Sequence, residues 1–505
     1  MNRFIMCSKW MLFLIIGFLF CSLTIGEIQR PNFVLVLTDD QDLLLDGLVP
    51  LEITRRLIAD EGATFSNFFV NSPICCPSRS TILTGKHVHN TGVVNNSLSG
   101  NCSGRKWQQN DEKATIAALL KSDNYTNFYA GKYLNKYGDS KVGGLSHVPK
   151  GYDWWIGLKG NSKYYDYELS INGTAKKFEK DQYLTDVIKN YALDFLNHVH
   201  KDMPFFMMIA PPAAHAPFTA AKRHETKFPL VKAKRTQTFN ATPIHKHWLM
   251  QLPPINLPSN VDILDNIQRH RLQTLLAVDE LVDELARKLM DMHIFNNTYF
   301  IFTSDNGFHI GQFSQPWDKR QPYETDIRVP FFIKGPNISR KTLINDPSST
   351  VDLAPTILDL ADVKIPMTMD GISMKDILLK RTINRSRQNI LIEYHGEGNA
   401  NSVDNECPWA GNANLAECNQ DNWCKCEDSR NNTYVCLRRI TNIENIKFCR
   451  FFDDEDFIEY YDFDSDPHEM TNLWVHHKII SKKYHQILNT LMSCKGVSCT
   501  KAAIK

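Results

Sequence analysis

Asn32-Phe-Val-Leu-Val-Leu-Thr-Asp-Asp40 is the stretch from which the fold can be read. Residues 32–37 form an apolar run too short for an ordinary helix and without polar alternation, which describes a strand buried on both faces. The run then stops and delivers two carboxylates, Asp39 and Asp40. Three later runs behave alike. Residues 127–130 lead into Gly131-Lys132, residues 205–210 into Pro-Pro-Ala-Ala-His215, and residues 299–303 into Ser304-Asp305-Asn306-Gly307. Helical patterns lie between them, over 51–61, 114–121, 183–198 and 266–292. This alternation predicts an α/β fold, a large and mostly parallel sheet sandwiched by helices. Ligands of such sheets bind beyond the carboxyl ends of the strands. Asp39, Asp40, Lys132, His215, Asp305 and Asn306 are therefore expected in one cleft.

The chemistry of that set is specific. Carboxylates with an amide oxygen suit a hard cation, calcium or magnesium, and not zinc. A lone Asp-Asp pair is more often a helix cap or a solvated turn. A second acid–amide pair at another strand end calls for a cation between the two.

Outside these strands the most informative segment is Cys75-Cys-Pro-Ser-Arg-Ser-Thr-Ile-Leu-Thr-Gly-Lys86. Pro77 suits the first turn of a helix, where its missing N–H costs nothing. Cys75 then sits at a helix N-terminus, where anions are favoured. An isolated Cys-x-Pro is usually a buried or disulfide-bonded cysteine. The whole stretch, however, resembles the signature of the type I sulfatases, Cys-x-Pro-Ser-Arg followed by Leu-Thr-Gly.

That resemblance implies the alkaline-phosphatase-like sulfatase fold. It also implies that Cys75 is oxidised to formylglycine by a formylglycine-generating enzyme during maturation. The family's metal ligands match Asp39, Asp40, Asp305 and Asn306, with residue 75 as a further ligand to one Ca2+. In the family, hydrated formylglycine attacks sulfur with one hydroxyl, and the second hydroxyl lets sulfate be expelled; a serine lacks that second group. Arg79 is implied to hold residue 75, Lys132 and Lys319 to grip sulfate oxygens, and His215 to act as acid or base near the leaving oxygen. Many family members carry Gly-Lys-Trp-His. Here Tyr133, Leu134 and Asn135 follow Lys132, so the usual second histidine is missing. His309 is a candidate substitute, and equally a substrate-binding residue.

Longer segments narrow the resemblance, among them Gly-Lys-Tyr-Leu-Asn-Lys-Tyr-Gly (131–138), Asn-Ser-Lys-Tyr-Tyr-Asp-Tyr (161–167) and Glu-Tyr-His-Gly-Glu-Gly (393–398). They are similar to the branch that removes 6-sulfate from N-acetylglucosamine units of heparan sulfate and keratan sulfate, and imply a sulfated glycosaminoglycan substrate and a lysosomal location. The extracellular heparan sulfate 6-O-endosulfatases are the alternative, but they carry a long basic insert that this chain lacks. A glycan-binding pseudoenzyme would lack the cysteine or the metal ligands, and a phosphatase of related fold would carry serine or threonine at position 75.

Composition agrees with a secretory enzyme. The 505 residues hold 57 Lys+Arg against 56 Asp+Glu, with no basic stripe to suggest nucleic acid as a partner. Residues 1–26 read as a signal peptide, and no later run is long enough to span a membrane. Nine sequons support the same route: Asn95, Asn101, Asn124, Asn172, Asn240, Asn296, Asn337, Asn384 and Asn431. Of the 13 cysteines, Cys407, Cys418, Cys424, Cys426, Cys436 and Cys449 cluster late, and Cys494 and Cys499 close a small loop. In an oxidising compartment they read as disulfides; Cys424-Lys-Cys426 is too tightly spaced for the usual zinc motif. Cys76 and Cys102 are free to pair or stay reduced. The catalytic domain is expected over 30–380. A smaller disulfide-rich α+β domain with an antiparallel sheet is expected over 381–505.

Overall fold

The computed structural model describes residues 30–504 apart from 201, 381–385 and 477–480. The signal-peptide reading of 1–26 and the Asn384 sequon lie outside the described residues.

Ten strands form the main sheet: β1 Asn32–Thr38, β2 Ala63–Phe65, β3 Thr126–Lys132, β4 Trp154–Leu158, β5 Tyr167–Ile171, β6 Thr174–Phe178, β7 Phe205–Ala210, β8 Thr298–Ser304, β9 Phe331–Lys334 and β10 Thr342–Ile344. Their spatial order is β10-β2-β9-β8-β1-β7-β3-β4-β5-β6. The five central strands, β8-β1-β7-β3-β4, are all parallel. β9 runs antiparallel on one flank and β5 on the other, so the sheet is mixed at its edges.

The uninterrupted apolar runs follow from burial on both faces. Phe33, Leu35 and Leu37 pack with Ile82 of helix α1 (Cys75–Thr84) and with Leu353 and Ile357 further along the chain. Val34 and Val36 face the other way, onto Ile188 and Phe195 of α2 (Leu184–His198) and Val278, Leu281 and Leu285 of α3 (Asp262–Asp291). Each fully buried Leu, Val or Phe contributes about 1.5–3 kcal/mol, so the central strands are held by apolar packing on both faces. That makes them a rigid base for whatever leaves their ends.

A second, four-stranded sheet follows: β11 Asn389–Tyr394, β12 Tyr434–Ile440, β13 Asn445–Phe451 and β14 Ile458–Asp462, all antiparallel. Tyr484, Leu488 and Leu491 of the helix Ser481–Ser493 cover its face at Leu437 and Phe448. The expected boundary near 380 falls beside 381–385, outside the described residues.

Five disulfides are present among the described residues: Cys76–Cys102, Cys407–Cys424, Cys418–Cys426, Cys436–Cys449 and Cys494–Cys499. Cys424 and Cys426 therefore belong to two separate bridges, which agrees with the disulfide reading over a zinc site. Asn124, Asn172, Asn240, Asn296 and Asn337 are exposed. Asn95, Asn101 and Asn431 are half-buried, and the Asn101 amide nitrogen is itself buried without a partner. No described helix is long and apolar enough to cross a membrane.

Candidate active site

Strand register assembles the site. Thr38 of β1 lies opposite Ser304 of β8, so the chain emerges from both strands at one level and Asp39-Asp40 meets Asp305-Asn306. Gly131 of β3 pairs with Ala210 of β7. A Cβ on Gly131 would come within 2.0 Å of the Ala210 carbonyl oxygen. The glycine lets the strands close and fixes where Lys132 leaves the sheet. Helix α1 begins at Cys75 and stops at Gly85, whose φ of 64° makes the left-handed cap.

These elements bring Asp39, Asp40, Cys75, Arg79, Lys132, His215, Asp305, Asn306 and Lys319 into one cluster, each less than a tenth exposed. Lys132 Nζ donates to Asp39 Oδ2 at 2.7 Å, and Lys319 Nζ to Asp40 Oδ2 at 2.7 Å. Arg79 Nε donates to Asp305 Oδ2 at 2.7 Å, with another of its nitrogens 3.5 Å from Asp39 Oδ1. The Cys75 sulfur stands 3.7 Å from Asp39 Oδ1 and 4.0 Å from Asp40 Oδ1. The Asp40 N–H donates to Asp305 Oδ1 at 3.1 Å, and Asn306 Nδ2 to Asp40 Oδ1 at 2.7 Å. Three carboxylates are thus interleaved with three fixed cations.

The electrostatics follow from that interleaving. Burial opposes ionisation of Asp39, yet Lys132, His215 and Arg79 outweigh it and hold the carboxyl well below the usual range. Lys319 and His215 do the same for Asp40 against its burial. Asp305 goes the other way: burial and the neighbouring acids lift it although Arg79 opposes them. Burial pushes the Cys75 thiol up to about 12, so the unmodified sulfur is a poor nucleophile at neutral pH. His215 gives its Nδ1–H to the Ala216 carbonyl at 2.6 Å, which leaves Nε2 facing Asp40 Oδ2 at 3.7 Å. Burial lowers its pKa despite Asp40 and Asp39, which favours the neutral ring with Nε2 as the acceptor.

The donor set fits a hard cation. Ligand atoms of Asp39, Asp40, Cys75 and His215 lie within 4.8 Å of one another. Beside them the Asn306 amide oxygen is buried and has no hydrogen-bond partner. A buried orphan oxygen among converging carboxylates is costly unless something positive meets it.

His309 is placed elsewhere. Its Nδ1 is 2.9 Å from Asp326 Oδ2 and its Nε2 3.4 Å from Glu427 Oε2, and it is buried. Both ring nitrogens face carboxylates, and the backbone of His309 pairs with Asp318, the residue before Lys319. Two residues enter that sequence reasoning missed. The Ser162 hydroxyl donates to Asp39 Oδ2, and Arg271 donates to the Asp40 carbonyl and to Asp42 Oδ1, both at 2.8 Å. Ser162 lies just past β4, whose Trp-Trp-Ile-Gly-Leu run carried the same strand-end signal as the others. Nothing local in the sequence marks Arg271, which comes from the middle of α3.

The sequence profile described as Sulfatase matches residues 31–363, which holds every residue of this cluster. The chain belongs to the sulfatase family. The sulfatase is 45% identical to human N-acetylglucosamine-6-sulfatase over 506 aligned residues, covering 98% of this chain and 90% of that protein. It is 37% identical to a putative extracellular sulfatase Sulf-1 homolog of Caenorhabditis elegans, over 73% of this chain and 52% of that one. Among solved structures, BT4656 in complex with its substrate D-glucosamine-2-N,6-O-disulfate superposes with a TM-score of 0.72 at 24% identity, over 92% of this chain and 97% of that chain. That likeness speaks for the fold. The sulfatase is accordingly a sulfuric ester hydrolase on the large sheet, with a smaller antiparallel sheet at the C-terminal end.

Proposed function

We propose that this sulfatase removes the 6-sulfate from N-acetylglucosamine 6-sulfate at chain ends of heparan sulfate and keratan sulfate. The observation that carries the reading is 45% identity sustained over nearly the full length of the human N-acetylglucosamine-6-sulfatase. The extracellular sulfatase relative is less similar and its match covers only half of that longer protein.

The residues take the following parts. Cys75, converted to formylglycine by a formylglycine-generating enzyme, supplies the hydrated aldehyde as nucleophile. Asp39, Asp40, Asp305 and Asn306 would hold one calcium ion, which would supply charge to favour ionisation of the nucleophilic hydroxyl and to offset sulfate charge. Arg79, fixed on Asp305, keeps residue 75 oriented and balances charge beside it. Lys132 and Lys319 bind the sulfate oxygens from two sides, where pre-placed cations stabilise negative charge without reorganising. Ser162 and Lys132 together orient Asp39. His215 Nε2 exchanges a proton at the alcohol oxygen or the residue-75 hydroxyl. The secretory route and a lysosomal destination complete the reading.

A peptide mass spectrum across residue 75 of the active protein tests it. Conversion of the thiol to the aldehyde or its hydrate is expected, with sulfate released from N-acetylglucosamine 6-sulfate. A quantitatively unmodified Cys75 in active enzyme sinks the mechanism. Release of internal 6-sulfate from end-blocked heparan sulfate, with terminal sulfate untouched, sinks the chain-end substrate.

A further inference from the structure

The reaction uses nothing from the segment that follows α1, yet titratable groups gather there. α1 stops at Gly85, and the short helix Val88–Thr91 then carries His89 and Asn90. His89 Nδ1 lies 2.8 Å from Glu393 Oε1 in β11. Its Nε2 lies 2.9 Å from the Cys494 carbonyl, just past the helix Ser481–Ser493. One imidazole thus touches three parts of the chain: the end of α1, the second sheet, and the C-terminal segment closed by the Cys494–Cys499 bridge.

Two observations call for the charged ring. An ionised carboxylate and a carbonyl only accept, so both contacts are hydrogen bonds only when both ring nitrogens donate, as they do in the imidazolium. Glu393, for its part, is 4% exposed, its Oε2 is buried without a hydrogen-bond partner, and His89 is its one salt-bridge partner among the described residues. A buried carboxylate is costly unless a cation faces it. Asn90 supplies the alternative. Its Nδ2 is 2.9 Å from Asp370 Oδ2, 3.0 Å from the Cys494 carbonyl and 3.0 Å from His89 Nε2. With His89 charged, the two amide hydrogens go to Asp370 and Cys494. With His89 neutral, the bare Nε2 competes for the second one.

The groups around the ring set its balance. Burial opposes the charge, but Glu393, the Cys494 carbonyl and Asp370 outweigh it and raise the His89 pKa. His87 stacks on the ring with centroids 5.6 Å apart; burial, His89 and Arg387 hold its pKa well below the usual value, so His89 takes the proton. Burial likewise lowers His395, two residues beyond Glu393. Lys106, Lys495 and Lys86, the last paired with Asp111, line a cavity of about 320 Å3 with His89. The ring is 20% exposed, so solvent can exchange its proton.

We propose that His89 is a pH-operated clamp: as imidazolium it fastens Glu393 of the second sheet and the Cys494 carbonyl to the end of α1, and on losing its Nε2 proton to solvent it releases the Cys494 carbonyl and leaves Glu393 with a neutral donor. A raised pKa means that the clamp contributes fully below the unfolded value of about 6.5 and is lost as pH climbs through the folded value. The C-terminal part is therefore held most firmly in acid. The inference does not use the substrate and stands apart from the proposed function.

The experiment uses the full-length, matured enzyme with His89→Gln and Glu393→Gln as variants. Deuterium exchange at the His89 ring carbon, read by mass spectrometry over a pH series, gives the pKa of that one histidine. Backbone amide exchange at about pH 5 and about pH 8, corrected for intrinsic rates, reads the opening of residues 389–394 and 494–499. In the wild type His89 should titrate above about 6.5. Opening of both segments should rise about tenfold from the acidic to the alkaline sample, the worth of one hydrogen bond to a charged group. His89→Gln should open equally at both pH values. Glu393→Gln, which keeps the shape of the site, should lower the His89 pKa. A wild-type His89 pKa at or below about 6.5, or opening that does not change with pH, overturns the clamp. So does a full pH response in His89→Gln, which would assign the effect to another group, or an unchanged His89 pKa in Glu393→Gln.

Discussion

Single side chains carry most of the consequences that can be measured. Lys132 is fully buried against Asp39, so Lys132→Met removes the cation proposed to bind sulfate and leaves Asp39 with Arg79 as its nearest fixed cation. Turnover should fall by about 10²–10³-fold, in the range for deleting one pre-placed donor, which steady-state kinetics would read. Asp305→Asn keeps the shape of the cluster while removing a charge that both Arg79 and a cation need. Elemental analysis should then find far less than one calcium per chain, against one in the wild type. Stoichiometric calcium in the variant would contradict the ligand set. His309 gives a pH signature. Its burial resists protonation, but Asp326 and Glu427 outweigh that and raise its pKa to about 10. A raised value means the charged ring stabilises the fold fully below its unfolded pKa of about 6.5 and loses that contribution as pH climbs through about 10. The stability gap between wild type and His309→Gln, read by denaturant melts, should be widest at the acidic end and close toward the alkaline end.

At the level of elements, α3 does more than cover the sheet. From its middle Arg271 reaches the carbonyl of Asp40, a residue at φ 58° that pays for its strained backbone with such contacts. The same guanidinium lies 4.0 Å over the Phe308 ring, in the loop that follows Asp305-Asn306. One helix thus ties both acid-bearing loops together. Arg271→Met should cost about 3 kcal/mol, because Asp42 is left buried without its counter-charge, held only by the Leu45 and Gly47 N–H groups, and should weaken calcium binding in the same samples. Arg271→Lys keeps the charge but not the fork and should fall between. Four of the five central strands, β1, β3, β7 and β8, were legible in the sequence because both their faces are buried, so each is written as an unbroken apolar run with polar candidate site residues soon after it. The flanking strands were not. In β6, Thr-Ala-Lys-Lys-Phe is almost wholly exposed and reads as loop. The one signal was Asn172-Gly173, a two-residue hairpin turn with both φ values positive. In the second sheet, Arg438 and Arg439 interrupt the apolar pattern of β12, because they are paired with Glu324 and Glu444. Glu324 is 114 residues from Arg438 and cannot be seen from it, whereas Glu444 is only five residues from Arg439, across the turn into β13.

Across the whole molecule the two sheets meet through polar contacts as well as apolar ones. Asn71 Nδ2 donates to the Leu391 carbonyl at 2.7 Å, and the Tyr434 hydroxyl to the Arg320 carbonyl at 2.8 Å. The Arg320 side chain is set among Asp318, Glu397 and Asp428. Arg320→Met would leave those acids without their counter-charge and should loosen the C-terminal part selectively. Hydrogen–deuterium exchange should rise around residues 389–397 and 415–429 while the central strands stay protected. Uniform protection in the variant would show that the docking does not depend on this residue. The long-range character of these contacts also explains why the His89 clamp was invisible in the sequence. His89 and Glu393 are 304 residues apart, and only the fold brings them together.

Cys75 is fully buried, and the next residue is locked to Cys102 by a disulfide. A modifying enzyme cannot grasp an extended peptide here once the helix has formed and the bridge has closed. The proposed oxidation of Cys75 must therefore come before folding, while the chain around it is still extended. On that proposal, a mutation or condition that speeds closure of the Cys76–Cys102 bridge would yield a well-folded but silent protein. Inactivity in a recombinant batch would then record the history of its synthesis and not a defect in its native structure.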